Sequence, residues 1–137
     1  MATANTLTTG AVHHVTLTVT DLTRSREFYT SLLGFQVALE YGPKLLLSNG
    51  HMILAVAPAP NPDRAISGDR FDENRVGLDH LSFSVGSRDD LEAAARLFEE
   101  HNVPHGEIED LGVGLRLYVL AFRDPDNIQL ELSASYQ

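Results

Sequence analysis

Three residues in this chain have the chemistry to share a metal ion: His14, His80 and Glu131. His14 lies in HHVTLTV, where His14, Thr16 and Thr18 alternate with Val15, Leu17 and Val19, the period-two pattern of a half-buried strand. His80 lies in DHLSFSV, where His80, Ser82 and Ser84 alternate with Leu81, Phe83 and Val85. In NIQLELS, Glu131 shares a face with Gln129 and Ser133, opposite Ile128, Leu130 and Leu132. With the apolar faces packed under helices, the polar faces of a curved sheet would line one hollow. Two neutral imidazoles and a carboxylate suit Fe2+, and also Mn2+, Zn2+, Ni2+ or Co2+, and leave coordination positions open. Taken singly, each of the three reads as an ordinary water-facing or structural residue. The set, with two histidines at matched places, moves the reading toward a metal site. His13 points to the opposite strand face from His14 and is read as a bystander.

The elements that must position these residues come in two similar series. After the first strand, TDLTRSREFYTSLLG offers Asp21 or Thr23 as a helix cap, an apolar stripe through Leu22, Tyr29 and Leu33, and Gly34 past the helix end. FQVALEY, KLLLS and HMILAVA read as three strands, with Asn49-Gly50 as a hairpin turn between the last two. Residues 58–77, rich in proline, glycine and charge, read as a linker. Its Asp72, Glu73 and Arg75 read as solvated charges, with a place over the cleft as the alternative. The pattern then restarts: DHLSFSV, a helix from Ser87 with Asp90 spaced for a capping box, a weak strand near 106–110, LRLYVLAF and NIQLELS. HHVTLTV and DHLSFSV align, so His14 and His80 hold the same place in an internal repeat. The expected fold is α+β: two βαβββ modules forming a curved, incompletely closed barrel around a metal-binding cleft. The expected boundaries are a mobile lead-in over 1–11 and one domain over 12–134, with module one at 12–57, the linker at 58–77 and module two at 78–134.

Composition limits the function classes. A chain of 137 residues with 43% hydrophobic residues can bury one real core. Net charge is −9, which disfavours nucleic acid as a partner. No apolar run approaches the roughly 20 residues a bilayer span needs, and MATANTLTTGA has no basic n-region or apolar core of a secretory signal. The absence of cysteine excludes disulfides and thiolate ligands and makes the cytoplasm the default location.

HHVTLTVTDLTRSREFYTSLLGF, GLDHLSFSV and FRDPDNIQLEL together resemble the vicinal oxygen chelate superfamily of glyoxalases, ring-cleaving (extradiol) dioxygenases and bleomycin-resistance proteins, over about residues 12–134. The resemblance implies metal ligands on the first, fourth, fifth and eighth strands, matched here by His14, His80 and Glu131. On the fourth strand, aligning GHMILAV with DNIQLEL puts Ala55 where Glu131 sits in the other half. His51 has the same parity but lies about 13 Å further along the strand. The pattern therefore departs from the four-ligand glyoxalase I and methylmalonyl-coenzyme A epimerase type. It is similar to that of the ring-cleaving dioxygenases and the fosfomycin-inactivating transferases. The latter carry a serine- and lysine-containing potassium loop that EIEDLGVGL does not match. The implied activity is that of a metal-dependent enzyme chelating a small molecule through adjacent oxygens, with dioxygenase-like chemistry placed ahead of a lyase, isomerase or thiol transferase. A drug- or metabolite-binding resistance protein without turnover is the alternative class. Arg116 and Tyr118, which share a face of the seventh strand, are candidate contacts to substrate anions; no general base is identified. The resemblance also implies a homodimer, with each site formed within one chain or across the interface.

Overall fold

The computed structural model describes residues 5–137, so the lead-in expected over 1–11 lies partly outside the described residues. The chain runs β1 (His14–Thr18), α1 (Leu22–Glu27), β2 (Gln36–Tyr41), β3 (Lys44–Ser48) and β4 (Ile53–Ala57). After the linker come β5 (Leu81–Ser84), α2 (Arg88–Glu100), β6 (Glu109–Asp110), β7 (Leu117–Arg123) and β8 (Gln129–Ser135). Each series makes one four-stranded sheet, in the orders β1-β4-β3-β2 and β5-β8-β7-β6. Within each sheet the first and last strands pair in parallel and the other pairs are antiparallel. These are the two βαβββ modules expected, with sheets that do not close into a barrel.

Local chemistry explains the element ends. Asp21, not Thr23, caps α1: its carboxylate accepts from the Arg24 amide at 3.1 Å. The expected regular helix instead widens into a π-helical turn over Phe28–Leu32, and its two leading aromatics, Phe28 and Tyr29, are both buried. Gly34 follows with φ of 75°, a left-handed conformation that suits glycine. In module two, Ser87 and Asp90 form the reciprocal capping box read from their spacing.

One core joins the modules. Phe28 of module one stacks on Phe122 of β7 with centroids 6.4 Å apart, and Phe122 stacks on Phe98 of α2 at 4.4 Å. Phe35 meets Phe83 of β5 edge to face at 5.6 Å. The modules thus share the apolar side of their sheets, while the His14 and Glu131 faces lie on the reverse side. The turn after β7 locks the two together. Buried Asp124 accepts the Tyr29 hydroxyl at 2.7 Å and the amides of Asp126 and Ile128 at 2.8 and 2.9 Å. Asp126 in turn accepts the Thr20 hydroxyl at 2.5 Å.

Burial, and then the negative charge of Asp124, hold the Tyr29 hydroxyl well above its usual range, so it stays a donor. Its loss would leave a buried carboxylate oxygen short of a partner. Tyr29→Phe is expected to lower stability by about 1.5–3 kcal/mol, read as a lower urea midpoint at unchanged slope. An unchanged midpoint would show that this bond does not fasten the modules.

Candidate metal centre

His80 immediately precedes β5, and Glu131 stands opposite Ser82 in the parallel β5–β8 pair. The His80 Nε2 is 3.6 Å from Glu131 Oε1. The other ring nitrogen, Nδ1, is 2.7 Å from Asp79 Oδ1. An ionised carboxylate only accepts, so Nδ1 carries the proton in the neutral ring. The lone pair of Nε2 in that neutral ring then faces Glu131, two acceptors between which a proton or a metal ion can sit. At 3.6 Å the pair is too long for a good hydrogen bond. Two donors each about 2.1 Å from one ion stand about 3.0–3.6 Å apart, so the pair fits a divalent cation. Glu131 is further held by the Ser133 hydroxyl, which donates to Oε1 at 3.3 Å and lies 2.5 Å from the Ser82 hydroxyl.

His14 is exposed and stands apart from these two. Its Nδ1 is 2.9 Å from Nδ1 of His13, the rings meeting edge to face with centroids 5.1 Å apart. The neighbour read as a bystander therefore touches it directly. Among the described residues of a single chain, no three histidine, cysteine, aspartate or glutamate side chains gather closely enough to hold a metal ion. The register also fixes the counterpart of Glu131. Thr16 pairs with Ala55 just as Ser82 pairs with Glu131, so module one has a methyl group where module two has a carboxylate.

Arg116 and Tyr118 lie elsewhere. Tyr118 pairs with buried Ala134, on the helix side of the sheet, whereas Glu131 pairs with Ala121 on the other side. The Arg88 guanidinium of α2 sits 5.1 Å from the Tyr118 ring centre. Arg116 precedes β7 with φ of 53° and sits 5.3 Å from the Tyr136 ring centre. Both make cation–π contacts within module two, facing away from Glu131.

Sequence reading missed a polar chain beside His80. Gln129 donates to the Asp79 carbonyl and carboxylate at 3.0 and 3.1 Å. Its own amide oxygen accepts from Arg123 at 3.4 Å. Arg123 grips Glu73 of the linker in a two-bonded fork at 2.9 and 2.8 Å. Glu73, read as solvated, is thus tied to the end of β7. The Phe71 amide donates to the Asp126 carbonyl at 2.9 Å and Asn127 donates to the Phe71 carbonyl at 3.0 Å, pinning the same segment. The available signal was alternation, which puts Gln129 on the Glu131 face. A hollow of about 950 Å³ lies between β1 and the linker, with Thr16, Thr18, Ile66, Arg70 and Phe71 among its walls. Its lining includes none of His14, His80 and Glu131. No helix among the described residues is long and apolar enough to cross a membrane.

Comparison with known proteins agrees with this architecture. Residues 11–132 match the family model described as the glyoxalase/bleomycin resistance protein/dioxygenase superfamily. The chain is 32% identical over 128 residues to the uncharacterised protein YaeR of Escherichia coli K12, covering 88% of this chain and 93% of that one. It is 33% identical over 129 residues to the uncharacterised YwkD of Bacillus subtilis 168, covering 89% and 94%. Among solved structures, a glyoxylase/bleomycin resistance protein/dioxygenase domain from Frankia sp. EAN1pec superposes with a TM-score of 0.78 at 31% identity, covering 95% of each chain.

The Arg123 fork holds the Glu73 carboxyl at about 2, well below the ordinary glutamate value. A depressed folded-state value means that the ion pair contributes in full above the usual glutamate range and is lost as pH falls through about 2. Carboxyl 13C shifts followed against pH should place the Glu73 midpoint near 2 and move it up toward the ordinary range in Arg123→Ala. A midpoint unmoved by that substitution would remove the fork as the linker's anchor.

Proposed function

Because the chain belongs to the glyoxalase/bleomycin resistance protein/dioxygenase superfamily, we propose that it is a cytosolic, divalent-metal-dependent enzyme acting on a small molecule that chelates through two neighbouring oxygens. In this reading His80 and Glu131 of one protomer and His14 of its partner would hold the ion, with Fe2+ favoured. The observation that carries it is the His80 Nε2 lone pair aimed at Glu131 across 3.6 Å. The openness of this pair supports completion by a second copy. Each sheet leaves its first strand, β1 or β5, as a free edge beside a candidate histidine.

When bound, the ion supplies Lewis acidity that lowers the pKa of a chelating hydroxyl, and iron(II) adds redox chemistry with dioxygen. The chain's own contribution is orientation and charge. Two neutral imidazoles and one carboxylate leave a divalent site with net positive charge, which favours an anionic pair of substrate oxygens such as a catecholate or enediolate. Ala55 matters here, because a second carboxylate would cancel that charge and would occupy a position that substrate can take instead. The three-ligand pattern puts ring-cleaving dioxygenase-like chemistry ahead of a metal-dependent lyase, isomerase or thiol transferase. Oxygen consumption with a catechol panel separates these.

The hollow beside β1 favours a second reading, a protein that sequesters a drug or metabolite. It is of ligand size and excludes every candidate ligand of the ion. Metal-independent binding of a small molecule that survives His14→Ala and His80→Ala would support it.

Protein purified without chelators or a metal-binding tag should contain a divalent ion by elemental analysis. His14→Ala and Glu131→Ala should each lose it. Mixing and co-refolding equal amounts of the two variants should restore about a quarter of the wild-type metal, because about half of the pairs are mixed and only one of the two sites in a mixed pair regains its full ligand set. A native mass of one chain, or no recovery in the mixture, would overturn the shared site.

A further inference from the structure

We infer that Asp79 is the positioning residue that gives His80 its metal-binding form, and that Gln129, Arg123 and Glu73 hold Asp79 in place. The inference rests on the reading of His80 as a ligand. A neighbouring Asp-His contact alone would be a local accident. What makes this one a built arrangement is its second anchor, fifty residues away. Asp79 Oδ1 receives both the Nδ1–H of His80 at 2.7 Å and the Gln129 amide at 3.1 Å, and Gln129 also grips the Asp79 carbonyl at 3.0 Å.

The donors and acceptors run in one consistent direction. Arg123 can only donate, so the oxygen of Gln129 faces it and the nitrogen faces Asp79. Asp79 then presents an acceptor that selects the Nδ1–H tautomer and leaves Nε2 bare toward Glu131. Arg123 is itself fixed by both oxygens of Glu73. Asp79 keeps 69% of its side-chain surface exposed, so these bonds do not serve to satisfy a buried group. The repeat supplies a parallel. His13 holds in module one the place of Asp79 in module two, and its Nδ1 meets Nδ1 of His14 at 2.9 Å. In both modules the residue before the candidate ligand engages the same ring nitrogen.

The test uses the full-length protein with 15N-labelled histidine, stripped of metal, at a pH where imidazole is neutral. Long-range 1H–15N correlation should find wild-type His80 in the Nδ1–H form. In Asp79→Ala the ring should revert to the Nε2–H form usual for free imidazole, and Co2+ affinity should fall about 10- to 100-fold. Asp79→Asn keeps an oxygen that can accept from Nδ1–H, so it should retain the tautomer and most of the affinity. Gln129→Leu should give a mixture of tautomers. An Nε2–H ring in the wild type, or a tautomer unmoved by Asp79→Ala, would overturn the inference. A wild type that binds no Co2+ yet shows the Asp79-dependent tautomer would instead refute the metal reading and leave the positioning role standing.

Discussion

Asp124 carries a carboxylate into the interior, and the relation between the two modules follows from how that charge is accommodated. Burial of an isolated carboxylate costs several kcal/mol, so its oxygens must be met by donors. Two come from its own turn, the amides of Asp126 and Ile128, and they fold the chain so that β8 leaves in register beside β7. The third is the Tyr29 hydroxyl, which comes from the other module. Burial pushes the Asp124 carboxyl up, and the three hydrogen bonds oppose that rise. The same turn offers Asp126 to Thr20 at the end of β1 and Asn127 to Phe71 of the linker. One short segment therefore fixes module one, module two and the linker against each other.

That fixation decides which faces stay outside the core. The shared core occupies the apolar sides of both sheets, so the reverse faces carry the polar side chains, and each module presents its histidine there at the start of its first strand. The repeat is close in register and unequal in charge. Val15 pairs with Leu54 as Leu81 pairs with Leu130, so the backbones impose the same side-chain directions. Glu131 has no acidic counterpart because residue 55 is alanine. Module two also has the polar chain from Glu73 to Asp79, whereas the neighbour of His14 is an exposed imidazole.

Much of this was legible in the sequence, because it depends on local periodicity. Alternation in HHVTLTV, DHLSFSV and NIQLELS gave strand faces, and matching those segments gave the repeat and the place of Ala55. The Ser87–Asp90 capping box and the Asn49-Gly50 turn have spacing-coded chemistry. The π-helical turn was not legible: a one-residue widening leaves the apolar stripe of TDLTRSREFYTSLLG nearly unchanged, and the packing of Phe28 and Tyr29 on the other module belongs to tertiary structure. The Glu73–Arg123 fork and the Gln129–Asp79 bonds each span fifty residues and have no periodic signature. Alternation holds for Tyr118 within β7 but not for Arg116, which precedes the strand in a left-handed conformation. Which side of the sheet Tyr118 faces is set by the packing of Arg88 and Ala134, which alternation alone does not encode.

A histidine and a glutamate within 3.6 Å are common enough on protein surfaces that proximity alone says little. The direction of the lone pair is more selective. A solvent-facing histidine gains by pointing an N–H at a nearby carboxylate. Here Asp79 already takes the Nδ1–H, and the side of the ring turned toward Glu131 is an acceptor in the neutral form. In that form two acceptors face each other, a gap that either a proton on Nε2 or a metal ion closes. Gln129 strengthens the hold of Asp79, and Ser133 steadies Glu131. In the neutral ring Asp79 leaves Nε2 as the one lone pair facing Glu131, so the hydrogen bonds behind His80, more than the spacing in front of it, set which nitrogen meets a proton or a metal ion there.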